Sequence, residues 1–110
     1  VEFQQWNSHS HNNHAYAPIL FKSEETLLKV ETKLKENNVL ARRYFYPSLD
    51  TLEFLKHQSF RSTSTKSSES SNLKMQQSRD IASRILCLPI YPGLKQFQQD
   101  MICEVIKSIY

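Results

Sequence analysis

At 110 residues the chain is about one domain long, with room for a modest core. Hydrophobic residues make up 39% and charged residues 23%, as in globular proteins, and no apolar run approaches the ~20 residues that span a bilayer. Fourteen basic against eleven acidic side chains leave +3, mixed along the helices, which argues against nucleic acid and suits at most a small anionic ligand.

Val1 to Asn13 is polar and without apolar period, and is expected to be a flexible lead-in. Its H-x-H-x2-H set, His9, His11 and His14, has metal-ligand chemistry but no nearby carboxylate or thiolate, so a solvated loop is expected rather than a metal site. Ala15 to Phe21 reads as a strand. Pro18 cannot donate to a ladder, which places it on an edge strand or facing an edge. Ser23 is an N-cap followed by Glu24 and Glu25, where negative charge suits the helix dipole. Leu27, Val30 and Leu34 make one buried stripe. Glu25–Lys29 and Glu31–Lys35 are i,i+4 pairs in the favourable order, and Asn37-Asn38 closes the helix.

Val39 to Tyr46 is aromatic and apolar, ends at Pro47, and predicts a strand. Alternation puts Leu40, Arg42, Tyr44 and Tyr46 on one face, with Ala41, Arg43 and Phe45 on the other. Leu49 to His57 predicts a short helix or turn. Residues 59–77 are serine-rich and predict a mobile loop inside the domain. Ser78 is the expected cap of a second helix, with Ile81 and Ile85 one turn apart. Leu86 to Tyr91 is extended and Pro92-Gly93 turns. Leu94 to Ile109 predicts a third helix, with rows Phe97-Met101-Val105 and Ile102-Ile106-Ile109. The fold class this predicts is α+β: a small, largely antiparallel sheet with helices packed on one face.

Cys87 and Cys103 sit in apolar contexts and read as buried thiols, not a disulfide. Gly93 is the single glycine, which excludes glycine-rich phosphate loops of the Rossmann or P-loop kind. No spacing suggests a Ser/His/Asp or Cys/His triad. Val1 rather than Met at the start suggests an internal fragment or a processed chain, and the sequence shows no basic-then-apolar leader, so a cytoplasmic location is expected.

Three segments in register carry a resemblance. They are Asn13-His14-Ala15-Tyr16-Ala17-Pro18-Ile19-Leu20-Phe21, Ala41-Arg42-Arg43-Tyr44-Phe45-Tyr46-Pro47-Ser48-Leu49, and Ser78 to Tyr91 (SRDIASRILCLPIY). Together they resemble the C-terminal region of the DegT-type sugar aminotransferases, nearest the branch acting on dTDP-4-keto-6-deoxyhexoses. The resemblance implies the small C-terminal domain (residues 14–110) of a fold-type I enzyme that uses pyridoxal phosphate (PLP). Such enzymes are usually homodimers. They move an amino group from glutamate to a keto-deoxysugar nucleotide, for surface polysaccharide, O-antigen or antibiotic sugars.

In that family an N-terminal PLP-binding domain carries the Schiff-base lysine, so this chain alone is expected to hold no catalytic residue, bind no PLP and not transaminate. What remains would be one wall of the sugar-nucleotide pocket. Arg43 matches the arginine three positions before the family's Tyr-Pro tyrosine, and Tyr44, Tyr46 and Arg42 complete the implied substrate-binding set. Phe45 stands where many relatives carry His. The competing reading of the two arginines is a solvated strand edge paired with helix acids, and of the tyrosines a place in the core. A stand-alone α+β binding module without catalysis is the alternative for the whole chain.

Overall fold

The computed structural model describes residues 1–53 and 68–110, the stretch 68–74 by its helical backbone alone. The elements run β1 (Glu2–Phe3), β2 (Ala17–Leu20), α1 (Glu24–Glu36), a 3-10 turn (Leu49–Thr51), α2 (Ser68–Arg84), β3 (Ile85–Leu88) and α3 (Gln96–Lys107). They fall into two units, Val1–Tyr44 with Arg84–Tyr110, and Phe45–Ser83.

In the first unit the three strands form an antiparallel sheet in the order β1-β2-β3. The core draws on both longer strands and on α1 and α3: Ile19, Leu27, Val30, Leu34, Leu86, Ile102 and Ile106 are all buried together. Ile19 and Leu86 are direct cross-strand partners, so they share the face on which the two helices pack. This is the expected α+β arrangement.

Helix α1 forms as its sequence dictates. Ser23 Oγ accepts from Thr26 N at 3.2 Å, and Lys29 reaches Glu25 at 2.7 Å. Leu27, Val30 and Leu34 are fully enclosed, each such burial contributing roughly 1.5–3 kcal/mol. The helix ends in a Schellman motif. Asn38 adopts φ 59° and donates to Lys35 O at 3.0 Å, and Val39 N donates to Leu34 O at 2.9 Å. Val39 and Leu34 are both buried in the core cluster, which is the apolar contact that accompanies this cap. Asn supplies the left-handed residue where Gly is commoner.

Pro18 lies in the central strand, not an edge strand, and the hydrogen bonding explains how. Cys87, opposite Pro18, turns its N–H and C=O the other way, toward Arg42, at 2.8 and 3.0 Å. The Pro18–Cys87 pair is therefore non-hydrogen-bonded, and the missing N–H of Pro18 faces the β1 side. There β1 pairs only with Ile19 and Leu20, so Pro18 meets an open edge.

Five expectations are corrected. The lead-in is not wholly irregular, because Glu2 and Phe3 pair with β2. Beyond them the asparagines close local turns: Asn7, Asn12 and Asn13 accept from the backbone of His9, His14 and Ala15, as Asx turns do. The strand expected over Val39–Tyr46 shrinks to a single bridge, Arg42 with Cys87. It is cut short on one side by the left-handed cap at Asn38 and on the other by φ 57° at Phe45, neither of which extended backbone allows. Helix α2 begins at Ser68, ten residues before Ser78. Glu, Leu, Lys, Met and Gln among those residues are good helix formers and outweigh the serines. The part of the serine-rich stretch over 59–67 lies outside the described residues.

Phe97 is the fourth. It is 65% exposed, while Met101 and Val105 of its row pack on the core. Phe97 lies in the first turn of α3, one turn ahead of the core-packed Met101. Cys103 is likewise exposed, while Cys87 is buried, and both thiols are free. One step from Ile102 turns a helix by about 100°, which carries Cys103 off the core face.

The second unit joins the 3-10 turn to α2. Ser48 O accepts from Thr51 N at 2.9 Å, and Ser48 and Asp50 reach Ser78 and Arg79 of the helix. Asp50 is held below its ordinary pKa, first by its hydrogen bond from Ser48 and then by Arg79. No helix of the described residues is long and apolar enough to cross a membrane.

Candidate functional site: a tyrosine–arginine hollow

Within the first unit the Arg42–Cys87 rung carries a small wall. Alternation about that rung sends neighbouring side chains to opposite sides. Leu40, Arg42 and Tyr44 face a hollow of about 350 Å³, closed by Tyr16, Cys87 and Tyr91 among others. Ala41 and Arg43 face the other way. Ala41 packs on the core, and Arg43 Nη2 donates to Glu24 Oε1 at 2.6 Å, with its side chain only 15% exposed.

Tyr16 enters from the strand opposite. It stands two residues before Pro18, whose partner is Cys87, so alternation puts it on the same face as Cys87. Its hydroxyl donates to Tyr44 Oη at 3.0 Å, and the two rings lie 4.7 Å apart, tilted by 45°. Arg42 is the one charged side chain among the residues lining this hollow. A guanidinium offers planar, forked donors suited to phosphate or carboxylate, and the tyrosine faces beside it suit a flat or sugar ring.

The hollow is built to bind more than to move protons. The hydrogen bond to Tyr44 is the first cause holding the Tyr16 hydroxyl above its ordinary pKa. Burial pushes the Cys87 thiol up. Both groups keep their protons at neutral pH, so neither is poised as a base. A second hollow of about 450 Å³ adjoins the first across Leu40, Pro89 and Tyr91, and is lined by amides and apolar side chains such as Asn38, Gln98 and Met101. Among the described residues no three His, Cys, Asp or Glu side chains converge as a metal would require.

The four residues expected at the site are thus divided. Arg42 and Tyr44 line the hollow, Arg43 is turned toward α1, and Tyr46 belongs to the second unit. Sequence reasoning missed Tyr16, Tyr91 and Cys87. The alternation of 40, 42 and 44 was the available signal for which arginine to choose. The antiparallel register that adds Tyr16 has no signature in the chain itself.

The profile of the DegT/DnrJ/EryC1/StrS aminotransferase family matches residues 1–107. The chain belongs to this family. Among curated proteins, it is 33% identical over 100 residues to a dTDP-4-amino-4,6-dideoxy-D-glucose transaminase of Shigella dysenteriae, covering 89% of the chain and 24% of that relative. A protein of the same name from Escherichia coli is 30% identical over 105 residues, covering 94% of the chain and 25% of the relative. The chain therefore spans about a quarter of the length of these curated relatives. No solved structure gives a significant match.

Proposed function

We propose that the chain is the sugar-facing small domain of a PLP-dependent nucleotide-sugar aminotransferase, and that the Arg42–Tyr16–Tyr44 hollow is its wall of the substrate site. The observation that carries this reading is a lone guanidinium flanked by two tyrosine rings in a chain of this family. Arg42 would hold the diphosphate of a sugar nucleotide, and the rings would bear on its sugar or base. The names of the two curated relatives favour a thymidine-linked keto-deoxysugar as substrate. On the family resemblance the amino donor is glutamate, the assembly is a homodimer, the location is cytoplasmic, and the product serves surface polysaccharide.

PLP supplies the carrier for the amino group, and the described residues do not fit it. A lysine that bonds such a cofactor must lose its proton, through desolvation or a neighbouring cation. Lys29 and Lys33, which line a third, shallow hollow, pair with Glu25 and Glu36 and are more than half exposed. No lysine lines either of the other two hollows. The side chains of Lys56, Lys66 and Lys74 lie outside the described residues. On the family resemblance the cofactor's lysine belongs to an N-terminal domain of the same protein.

Titration of the chain with thymidine diphosphate, followed by calorimetry, tests the site. Binding should weaken with salt, because exposed charges are screened. Arg42→Gln should reduce affinity by about tenfold or more, since a hydrogen bond to a charged group contributes about 1.5–3 kcal/mol. Equal affinity of wild type and Arg42→Gln would refute the assignment.

A further inference from the structure

We infer that the second hollow is a nucleobase subsite: it seats the pyrimidine base of a nucleotide whose diphosphate lies on Arg42. The inference deepens the reading of the first hollow as a sugar-nucleotide wall and rests on it.

The two hollows are continuous, because Leu40, Pro89 and Tyr91 line both. They differ in charge. The first holds Arg42, whereas no charged side chain lines the second, which encloses about 450 Å³. The helix ends add no net charge there. Helix α1 stops at this hollow with Asn37 as its C-cap, and α3 starts beside it with Gln98 in its first turn. The negative end of one dipole meets the positive end of the other, so the two offset. A phosphate finds no cation in the second hollow, and at Arg42 it finds a forked one. A nucleotide laid across both is thereby oriented, with its diphosphate at Arg42 and its neutral base between the helix ends.

The polar groups of the second hollow suit such a base. Gln98 Oε1 accepts from Lys95 N at 3.0 Å, which fixes the carboxamide and leaves Nε2 as a donor. Asn37 Nδ2 donates to Lys33 O at 2.9 Å, which leaves Oδ1 as an acceptor. Each amide is thus tied to the backbone by one end and offers the other. Thymine and uracil present carbonyl acceptors on either side of an N–H donor, an edge that uses both kinds of group. Tyr91 is half exposed and offers a ring on which a base can stack. Leu94 and Met101 add apolar lining, the surface that a thymine methyl favours.

The test titrates the full chain with thymidine diphosphate and with inorganic pyrophosphate by calorimetry. Thymidine diphosphate should bind about tenfold more tightly or better, since stacking and an amide contact add to the hold on the diphosphate. Gln98→Glu keeps an acceptor for Lys95 N and puts a carboxylate oxygen where the Nε2 donor was. It should weaken thymidine diphosphate about fivefold more than it weakens pyrophosphate, whereas Arg42→Gln should weaken both probes alike. A second readout needs no variant: the methyl of the bound thymine should give nuclear Overhauser contacts to the methyls of Leu94 or Met101. Equal affinity for the two probes, equal losses of both in Gln98→Glu, or thymine contacts to the Tyr16 and Tyr44 rings instead would each overturn the subsite while leaving Arg42 as the phosphate group. Failure of the wild type to bind either probe overturns the ligand wall itself, and the subsite with it.

Discussion

Replacement of Leu34 by Ala is expected to be among the most damaging single changes in α1. Leu34 is fully enclosed, and it serves two structures at once: the buried stripe with Leu27 and Val30, and the apolar contact with Val39 that seats the Schellman cap. Truncation removes the transfer free energy of three carbons and leaves a cavity beside a rigid helix end, which places the cost near the middle of the usual range, about 3 kcal/mol. For a chain of this size that corresponds to a melting temperature lower by about 12 °C. Urea and thermal unfolding followed by circular dichroism measure it. Leu28→Ala is the control, because Leu28 lies on the same helix but is 44% exposed, and it should cost under about 1 kcal/mol. Equal costs for the two variants, or a loss below about 0.5 kcal/mol for Leu34→Ala, would refute the placement of the stripe.

Two further outcomes follow from the thiols and phenols. Iodoacetamide at neutral pH should alkylate exposed Cys103 quickly and Cys87 slowly, since Cys87 is buried and its pKa raised by burial; peptide mapping showing equal rates would contradict the packing of β3. In an alkaline titration read by tyrosinate absorbance, Tyr16 should ionise later than an ordinary tyrosine, and Tyr44→Phe should remove the delay, because the hydrogen bond to Tyr44 is its first cause. The sign follows from linkage: a folded-state pKa above the unfolded one adds stability that is present below the unfolded pKa and lost as pH rises through the folded pKa.

How far the sequence reveals this molecule depends on the range of the interactions. Helix α1 was legible from end to end because Ser23, the 27-30-34 stripe and Asn37-Asn38 are local signals for a cap, a face and a stop. The α+β class followed from the order of such segments. The edge-facing place of Pro18 was also legible, since its missing donor constrains any sheet. The shortening of Val39–Tyr46 was not, because two left-handed residues, Asn38 and Phe45, override a β-rich composition, and nothing about a phenylalanine announces positive φ. The early start of α2 was hidden by serines that are poor but tolerated in helices. At the site, alternation grouped Leu40, Arg42 and Tyr44, which line the hollow, with Tyr46, which falls in the second unit, and the resemblance drew attention to Arg43. What turns Arg43 toward α1 is a carboxylate 19 residues away, a distance over which sequence carries no geometric information.

The rung at residue 42 is made of main-chain atoms alone. The scaffold therefore asks of position 42 a backbone donor and acceptor, which any residue but proline supplies, whereas residue 43 must answer to the helix. Descendants of this fold can exchange the group presented at 42, and with it the chemistry they recognise, without disturbing the architecture beneath.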